Sequence, residues 1–147
     1  MSFFQGKILL NLIVKLLNRP SIYWDNFELC SSLQLTEFVD LLLEPIKSSQ
    51  YKYRIKLGLH EALINAVKHG NKLDPHKSIR VRRIITPNWC IWQIQDQGNG
   101  LEIKKRIYKL PNEESSINGR GLFIINECFD DIRWSNKGNR LQLALKR

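Results

Sequence analysis

The 147-residue sequence contains few of the residues from which disulfide frameworks and cysteine zinc sites are built. Its three cysteines, Cys30, Cys90 and Cys128, lie far apart, and no Cys-x-x-Cys occurs. Because their number is also odd, a disulfide-stabilised or zinc-ribbon domain is disfavoured, and the sequence fits a reducing cytoplasm. The three histidines do not fall in a recognised metal-ligand spacing, so no histidine metal motif is predicted either.

The sequence also has no apolar run long enough for a membrane span. Its most apolar stretch, 3–17, is interrupted by polar residues, whereas a spanning helix needs roughly 20 apolar residues. The stretch has no small-residue cleavage site, so a signal peptide is not expected. We predict that residues 1–20 form an accessory helix or strand that packs on the domain or on a partner. Residues 21–147 are predicted to form one domain with an adequate core.

Acidic residues are scarce relative to basic ones. The sequence has 14 Asp and Glu against 23 Lys and Arg, a formal net charge of +9. This excess suits a nucleotide, a nucleic acid or an acidic protein surface. A nucleic-acid binder ranks last among these, because basic residues are spread along the chain and no RRM, zinc-finger or basic-helix signature is present. A complete Gly-x-Gly-x-x-Gly and a Walker motif are both absent, which argues against Rossmann and P-loop domains.

The apolar periodicity predicts a mixture of strands and helices. Thr36 is the expected N-cap of the first domain helix, and Gly70-Asn71 is a stop signal for the longest one. Gly58 is predicted to lie on the polar side of that longest helix, opposite its apolar stripe. Strands are predicted over 22–30 and from Ile79, Cys90, Ile132 and Leu141, and helices over 36–43, over 51–69 and from Gly121 to Phe129.

The longest predicted helix carries a carboxylate and a carboxamide one turn apart, Glu61 and Asn65. Such a pair is most often only a solvated helix face. It has chemical potential, however, because a carboxamide oxygen suits Mg²⁺ and a carboxylate can deprotonate a hydroxyl. Lys68 and His69 end the same helix, where cations complement its dipole; contact with a phosphate is the alternative role.

A second group of candidate residues follows the clearest predicted strand. Asp96 has the parity of that strand's apolar residues, so its carboxylate is predicted to point toward the core side. A carboxylate there is costly unless it is bonded, and the exocyclic amine of adenine would supply a partner. Glycines allow backbone N–H groups to approach phosphates. Two such pairs follow, Gly98 with Gly100 and Gly119 with Gly121, and the pieces together predict a nucleotide site.

These motifs resemble those of a known superfamily. Glu61-x-x-x-Asn65, Asp96-x-Gly98-x-Gly100 and Gly119-x-Gly121 look like the N, G1 and G2 boxes of the GHKL ATPases, which have the Bergerat fold, in order and separation. Residues 61–71, continuing into Asp74-Pro75, look like the corresponding stretch of the bacterial anti-sigma factor serine kinases. The resemblance covers about residues 25–147.

The resemblance implies a fold and a set of ligands. The fold would be α/β, an α+β two-layer sandwich whose mixed, mainly antiparallel sheet carries helices on one face, with an ATP lid over 101–118. The cofactors would be ATP and Mg²⁺, with Asn65 holding the metal, Asp96 reading adenine and Glu61 acting as the base that activates a serine hydroxyl. The implied ATP contacts are Asn65, Lys68, His69, Asp96, Gly98, Gly100, Gly119, Arg120, Gly121 and Leu122. Arg120 suits the γ-phosphate, with a surface salt bridge as its alternative role.

The resemblance also implies partners. The protein would phosphorylate a serine of a STAS-domain anti-anti-sigma protein, and it would sequester an RNA polymerase sigma factor in the cytoplasm by partner switching; a homodimer is left open. Two departures bear on transfer: Gly138-Asn139 replaces the family's usual Gly-Thr, and Ser116-Ile117-Asn118 replaces a basic residue before the G2 glycines. The alternatives are a catalytically inactive, ATP-dependent protein-binding regulator of the same fold and a histidine-kinase catalytic fragment.

Overall fold

The computed structural model describes residues 22–106 and 120–147. The predictions for the N-terminal extension, for most of the expected lid and for Gly119 fall in residues 1–21 and 107–119, outside the described residues. No helix within the described ranges is long and apolar enough to cross a membrane.

The described chain contains five strands, three α-helices and two short helical turns. The strands are β1 (Tyr23–Cys30), β2 (Ser78–Ile85), β3 (Trp89–Gln95), β4 (Asp131–Trp134) and β5 (Arg140–Lys146). The helices are α1 (Thr36–Leu42), α2 (Ser49–Asn65) and α3 (Arg120–Cys128). A π-helical turn over Ala66–Gly70 continues α2, and a 3₁₀ turn covers Ile103–Lys105. All the strands and helices predicted from the periodicity are therefore present, with ends that differ by a few residues.

The strands form one sheet in the order β1-β2-β3-β5-β4. Each neighbouring pair runs antiparallel. The predicted α+β fold is confirmed, and the structure shows that its sheet is open. We expected a mixed, mainly antiparallel sheet, and within the described residues every pair is antiparallel. Two of these pairs, β2 with β3 and β4 with β5, are joined by short turns, which antiparallel pairing permits.

Among residues 22–106 and 120–147, the helices cover one face of the sheet and leave the other open. In β2 the buried residues alternate with Arg80 and Arg82, which are exposed, because successive side chains of a strand point to opposite faces. The helices add their own buried residues to the same core. The core includes Val39 and Leu42 of α1, Ile55, Leu59 and Leu63 of α2, Ile125 of α3, and Ile79, Trp92 and Leu143 of the sheet.

Gly58 does not lie on a polar face of α2, as the periodicity predicted; it is buried. A Cβ built at Gly58 would lie 2.7 Å from the Cβ of Cys128 and 2.6 Å from Cε2 of Phe129. The helix therefore buries two sides, one against the sheet and one against the end of α3. A glycine inside a helix costs about 1 kcal/mol relative to alanine, and here it permits this close approach.

The carboxyl end of α1 is held by two side chains of the sheet. Buried Arg83 donates to the carbonyl of Leu41 at 2.7 Å, and the indole of Trp92 donates to that of Leu42 at 3.1 Å. These bonds satisfy carbonyls that a helix end leaves without intrahelical partners. At the other end, the predicted N-cap Thr36 is instead the first helical residue, and Leu35 holds the cap position without a side-chain bond. Leu35 is fully buried, so core packing decides where this helix begins.

Candidate functional site

A cleft of about 460 Å³ lies between the end of α2, the beginning of α3 and the ends of the central strands. Its lining combines apolar side chains with one carboxylate, two carboxamides and two basic groups. The lining residues are Ala62, Asn65, Ala66, His69, Gly70, Lys72, Ile94, Asp96, Asn99, Gly100, Leu101, Gly121, Leu122, Trp134, Gly138 and Leu141.

The cleft brings together most of the predicted site residues that the structure describes. Six of them line it: Asn65, His69, Asp96, Gly100, Gly121 and Leu122. Glu61 lies beside the cleft and faces Gly121, while Gly98 is buried behind Asp96. Lys68 and Arg120 are exposed and are not part of the lining.

Asp96 is half-buried at the deep end of the cleft, directly after β3. Its Oδ1 accepts a hydrogen bond of 2.7 Å from the N–H of Gly98. Its backbone N–H donates to the carbonyl of Asn139 at 3.0 Å, and the Asn139 side chain donates back to the Asp96 carbonyl at 3.3 Å. Burial raises the pKa of the Asp96 carboxyl above its ordinary value of 3.8, against the opposing effects of the Gly98 bond and of Lys137 and Lys77.

The end of α2 is locked to the Asp96 loop by Asn71, whose side chain is fully buried. The Asn71 amide donates to the carbonyl of Ser78 at 3.0 Å, and its Oδ1 accepts from the N–H of Gln97 at 2.8 Å. Asn71 thus joins the helix end, the start of β2 and the loop after β3. The sequence placed Asn71 in a helix stop signal and at the end of the stretch 61–71 that carries the resemblance, but no clamping role was predicted, because nothing local distinguishes a clamping asparagine from a capping one.

Two glycines allow this junction to close. A Cβ at Gly70 would overlap the carboxyl group of Asp96, and a Cβ at Gly98 would overlap the carbonyl of Gly70. Any other residue at either position would push the loop away from α2. The carboxylate is therefore held in the cleft by packing as well as by hydrogen bonds.

The opposite end of the cleft places Glu61 and Asn65 against the first turn of α3. A Cβ at Gly121 would lie 3.2 Å from Oε2 of Glu61 and 3.2 Å from Nδ2 of Asn65. The glycine therefore leaves room above the polar pair. The first N–H groups of an α-helix have no intrahelical partner and favour an anion. At this end of the cleft, the start of α3 is therefore the candidate contact for an anion, and the carboxamide oxygen of Asn65 is the candidate contact for a cation such as Mg²⁺.

The rim of the cleft is formed by two loops in contact. Gly100 and Gly138 have φ angles of +90° and +80°, which glycine adopts without steric cost. The N–H of Leu101 donates to the carbonyl of Gly138 at 2.8 Å. Arg106 donates to the carbonyl of Leu101 and lies 5.4 Å from the ring centroid of Trp134. These contacts position Leu101 and Trp134 in the wall.

Several lining residues were not predicted from the sequence: Ala62, Ala66, Gly70, Lys72, Ile94, Asn99, Leu101, Trp134, Gly138 and Leu141. Ala66, Ile94 and Leu141 follow the periodicity of core residues, so the sequence offered no signal that they border a cleft. Gly70, Asn99 and Gly138 lie within motifs that the sequence analysis named, whereas Lys72 directly follows the Gly70-Asn71 stop and belongs to none of them. It has a φ of 55°, in the left-handed region that a helix C′ position often adopts.

The chemistry of this lining fits a purine nucleotide with a metal ion. Apolar walls around one half-buried carboxylate suit an aromatic base that carries an amine. At the other end, the carboxamide of Asn65 and the start of α3 suit Mg²⁺ and phosphates, and the basic side chains of His69 and Lys72 also line the cleft. No three His, Cys, Asp or Glu side chains gather as a metal set in residues 22–106 and 120–147. The carboxamide oxygen of Asn65 is the ligand for Mg²⁺ that the sequence predicted.

The chain was compared with known families and with curated proteins. The family model described as the histidine kinase-like ATPase domain matches residues 36–145. This range contains every predicted site residue and runs from the first residue of α1 into β5. No curated protein matches the chain.

Proposed function

Since the chain belongs to the histidine kinase-like ATPase domain family of the GHKL superfamily, we propose that this ATP-binding domain is an anti-sigma regulatory factor. In this proposal it phosphorylates a serine of a STAS-type anti-anti-sigma protein and sequesters a sigma factor by partner switching. The observation that carries the proposal is that Glu61, Asn65 and Gly121 meet at one end of the cleft that holds Asp96 at the other.

The Asp96 end of the cleft supports base recognition. An ionised Asp96 accepts a hydrogen bond from the exocyclic amine of adenine, which offsets the cost of its partial burial. Ile94, Leu101 and Leu141 provide apolar contact area for the ring. An adenine nucleotide is favoured over a guanine one, since guanine presents a carbonyl oxygen where adenine presents its amine.

The Glu61 end supports phosphate transfer to a hydroxyl. When bound, ATP with Mg²⁺ supplies the transferable phosphoryl group and neutralises its charge. Asn65 would hold the metal, and the N–H groups of the first turn of α3 would bind phosphate oxygens. Glu61, one helical turn from Asn65, accepts the proton of the attacking serine hydroxyl and so acts as the general base.

The proposed partners agree with the charge of the chain. A net charge of +9 favours association with proteins that carry acidic surfaces. We place this function in the cytoplasm, where sigma factors and RNA polymerase act. Dimerisation through the apolar residues of segment 1–20 remains part of the proposal.

The test is phosphate transfer by the full chain. Purified protein with Mg²⁺ and ATP is incubated with a STAS-domain partner from the same genome and with that partner's serine-to-alanine variant. Phosphate on the serine partner and none on the variant is the expected result. Transfer to no STAS protein of that genome, although ATP binds, would refute the kinase assignment.

One observation favours a second candidate, a regulator of the same fold that binds ATP without transferring phosphate. Where the family's last strand usually begins with Gly-Thr, this chain has Gly138-Asn139. The amide of Asn139 is engaged with the backbone carbonyl of Asp96, so it braces the loop where a hydroxyl would be free for the nucleotide. The regulator would bind its partner with an ATP-dependent affinity and leave the nucleotide intact, which the same incubation detects.

A further inference from the structure

The face of the sheet that points away from the helices presents a second ordered surface, which we call the open face. The strand register aligns its side chains in rows that cross the sheet. One row is apolar over Trp24, Ile84, Ile91 and the buried Ala144 and ends at Asp131; two polar rows contain Asn26, Arg82, Gln93, Gln142 and Arg133, and Glu28, Arg80, Gln95 and Arg140.

The polar rows carry four arginines on one face of the sheet. Arg82 and Arg140 are exposed, and the side chains of Arg80 and Arg133 are 69% and 72% exposed. Arg82 donates a hydrogen bond of 2.8 Å to the amide oxygen of Asn26. Because this acceptor is neutral, the bond does not neutralise the guanidinium charge. A shallow concavity lies between Arg80, Arg82, Gln93, Gln95 and Arg140, so these planar side chains surround a shared depression.

Carboxylates occur only at the two margins of the described open face. Glu28 on β1 lies 3.6 Å from Arg80, and Asp131 on β4 lies 2.8 Å from Arg133. Exposed pairs of this kind contribute at most about 1 kcal/mol, so they leave both arginines available to a partner. The centre of the surface, with Arg82, Arg140 and the glutamines between them, remains positive.

The apolar row continues the same surface. Trp24 is 61% exposed, and Ile84 and Ile91 lie beside it in register. Apolar side chains next to arginines are typical of protein interfaces, where Arg and Trp contribute most to affinity.

A second copy of the chain does not suit this face, because two facing copies would oppose arginines to arginines. A nucleic acid suits it less than a protein does. The exposed ring of Trp24 lies in the apolar row on the edge strand β1, whereas the polar rows that carry the arginines contain no aromatic side chain to stack on bases, and Glu28 and Asp131 would repel phosphates at both margins. Charge complementarity therefore favours a protein partner that carries carboxylates next to an apolar patch.

We propose that the open face is a docking surface for an acidic protein, with carboxylates bound by the arginine rows and an apolar patch seated on Trp24, Ile84 and Ile91. Arginine forks pair with carboxylates in a bidentate way. The surface lies on the opposite side of the sheet from the cleft, so docking leaves the cleft accessible. The inference goes beyond the proposed function and does not require phosphate transfer.

The test uses the full chain, isotope-labelled, with three probes. These are a glutamate-rich peptide that carries a short leucine segment, the same peptide with glutamines in place of the glutamates, and oligothymidylate. The glutamate peptide is expected to shift amide resonances of β2, β3 and β5 and to weaken in binding with added salt, while the glutamine peptide leaves them unchanged.

Paired variants locate the interaction. Arg82→Glu with Arg140→Glu is expected to weaken binding of the glutamate peptide by about tenfold or more, as reversal of central interface charges does. The matched control, Lys47→Glu with Lys52→Glu, makes the same change of net charge at two exposed positions, one just before α2 and one in its first turn. It is expected to weaken binding by about twofold or less.

Four outcomes would overturn the proposal. Equal weakening by the two variant pairs would show that net charge alone attracts the peptide. Tighter binding of oligothymidylate at the same amides would assign the face to nucleic acid. A concentration-dependent dimer that shifts those amides without a probe would assign it to a second copy. Nuclear Overhauser contacts between the Trp24 indole and residues 1–20 would assign its apolar row to the chain's own N-terminal segment.

Discussion

The two ends of the cleft differ in how much of their bonding the protein supplies. At one end, Asp96 is bonded by Gly98 and its loop is held by Asn71 and Asn139. At the other, no hydrogen bond to the side chain of Glu61 or Asn65 is made by the part of the chain that the structure describes. A preorganised end suits recognition of a rigid base, whereas an end with free oxygen atoms suits a metal ion, phosphates and an incoming hydroxyl. In the proposed function, the first would be the binding end and the second the reacting end.

The largest effect is expected from a substitution that impairs only the proposed reacting end of the cleft. Glu61→Ala removes the proposed base, and phosphate transfer should fall by about 10²- to 10⁴-fold, the usual contribution of a general base. ATP affinity should change by less than about twofold, because the base contributes little to ground-state binding. Single-turnover transfer and a fluorescent-nucleotide titration measure the two quantities. Equal transfer by wild type and variant would remove Glu61 from its proposed role.

The second largest effect is expected from a substitution that weakens the binding end at a residue that does not contact the nucleotide. Asn71→Ala leaves the N–H of Gln97 and the carbonyl of Ser78 without their bonds, which should lower the free energy of unfolding by about 1–3 kcal/mol. ATP affinity should fall as well, because the Asp96 loop loses its tie to α2. Urea denaturation checks the first effect, with exposed Asn126→Ala in α3 as the control. An Asn71→Ala protein as stable as that control would contradict the clamp.

A smaller effect tests the space above the polar pair. Gly121→Ala places a methyl group 3.2 Å from Glu61 and Asn65, so transfer should fall by about tenfold, roughly 1.4 kcal/mol of lost transition-state stabilisation. Thermal stability should be unchanged or slightly higher, since alanine is the better helix former. Unchanged transfer would show that this space is not used in the reaction.

The smallest effect is a pH dependence at the binding end. Because the pKa of Asp96 is raised, the ionised carboxylate is less favourable in the folded than in the unfolded protein. Its contribution to stability is therefore greatest below pH 3.8 and is lost as pH rises through the folded-state pKa. Adenine binding requires the ionised form, so ATP affinity should show the opposite trend and fall as pH drops through that pKa, by at most about tenfold per pH unit. Calorimetric titrations across this range, with Asp96→Asn as the pH-independent control, measure it.

The fold was largely predictable because its signals are periodic. Alternation in β2, β3 and β5 identified the strands and their buried side, and the apolar stripe identified α2. The errors arose where tertiary packing overrides local pattern. A helical projection places Gly58 on the polar side of α2. In the fold it is buried, because the end of α3 packs against that side. Leu35 rather than Thr36 occupies the N-cap position of α1, because burial of the leucine side chain contributes more free energy than a side-chain capping hydrogen bond would.

The site was predictable only in its short motifs. Spacing along α2 placed Glu61 and Asn65 on one side, and strand parity placed Asp96 on the helix side of the sheet. Asn71, Leu101 and Trp134 could not be identified as site residues, because their positions depend on contacts between segments distant in sequence. A buried asparagine that joins three segments has the same local sequence as one that ends a helix.

Titration of Mg²⁺ and ATP into wild-type protein and into Asp96→Asn tests the central claim most directly, with the calorimetric heat as the signal. The wild type should bind one ATP per chain. The variant should bind it more weakly by about 2–3 kcal/mol, because the amine of adenine then meets an amide in place of a charged carboxylate. Equal affinity of the two proteins for ATP, or no binding by the wild type, would contradict the assignment of this cleft as the nucleotide site.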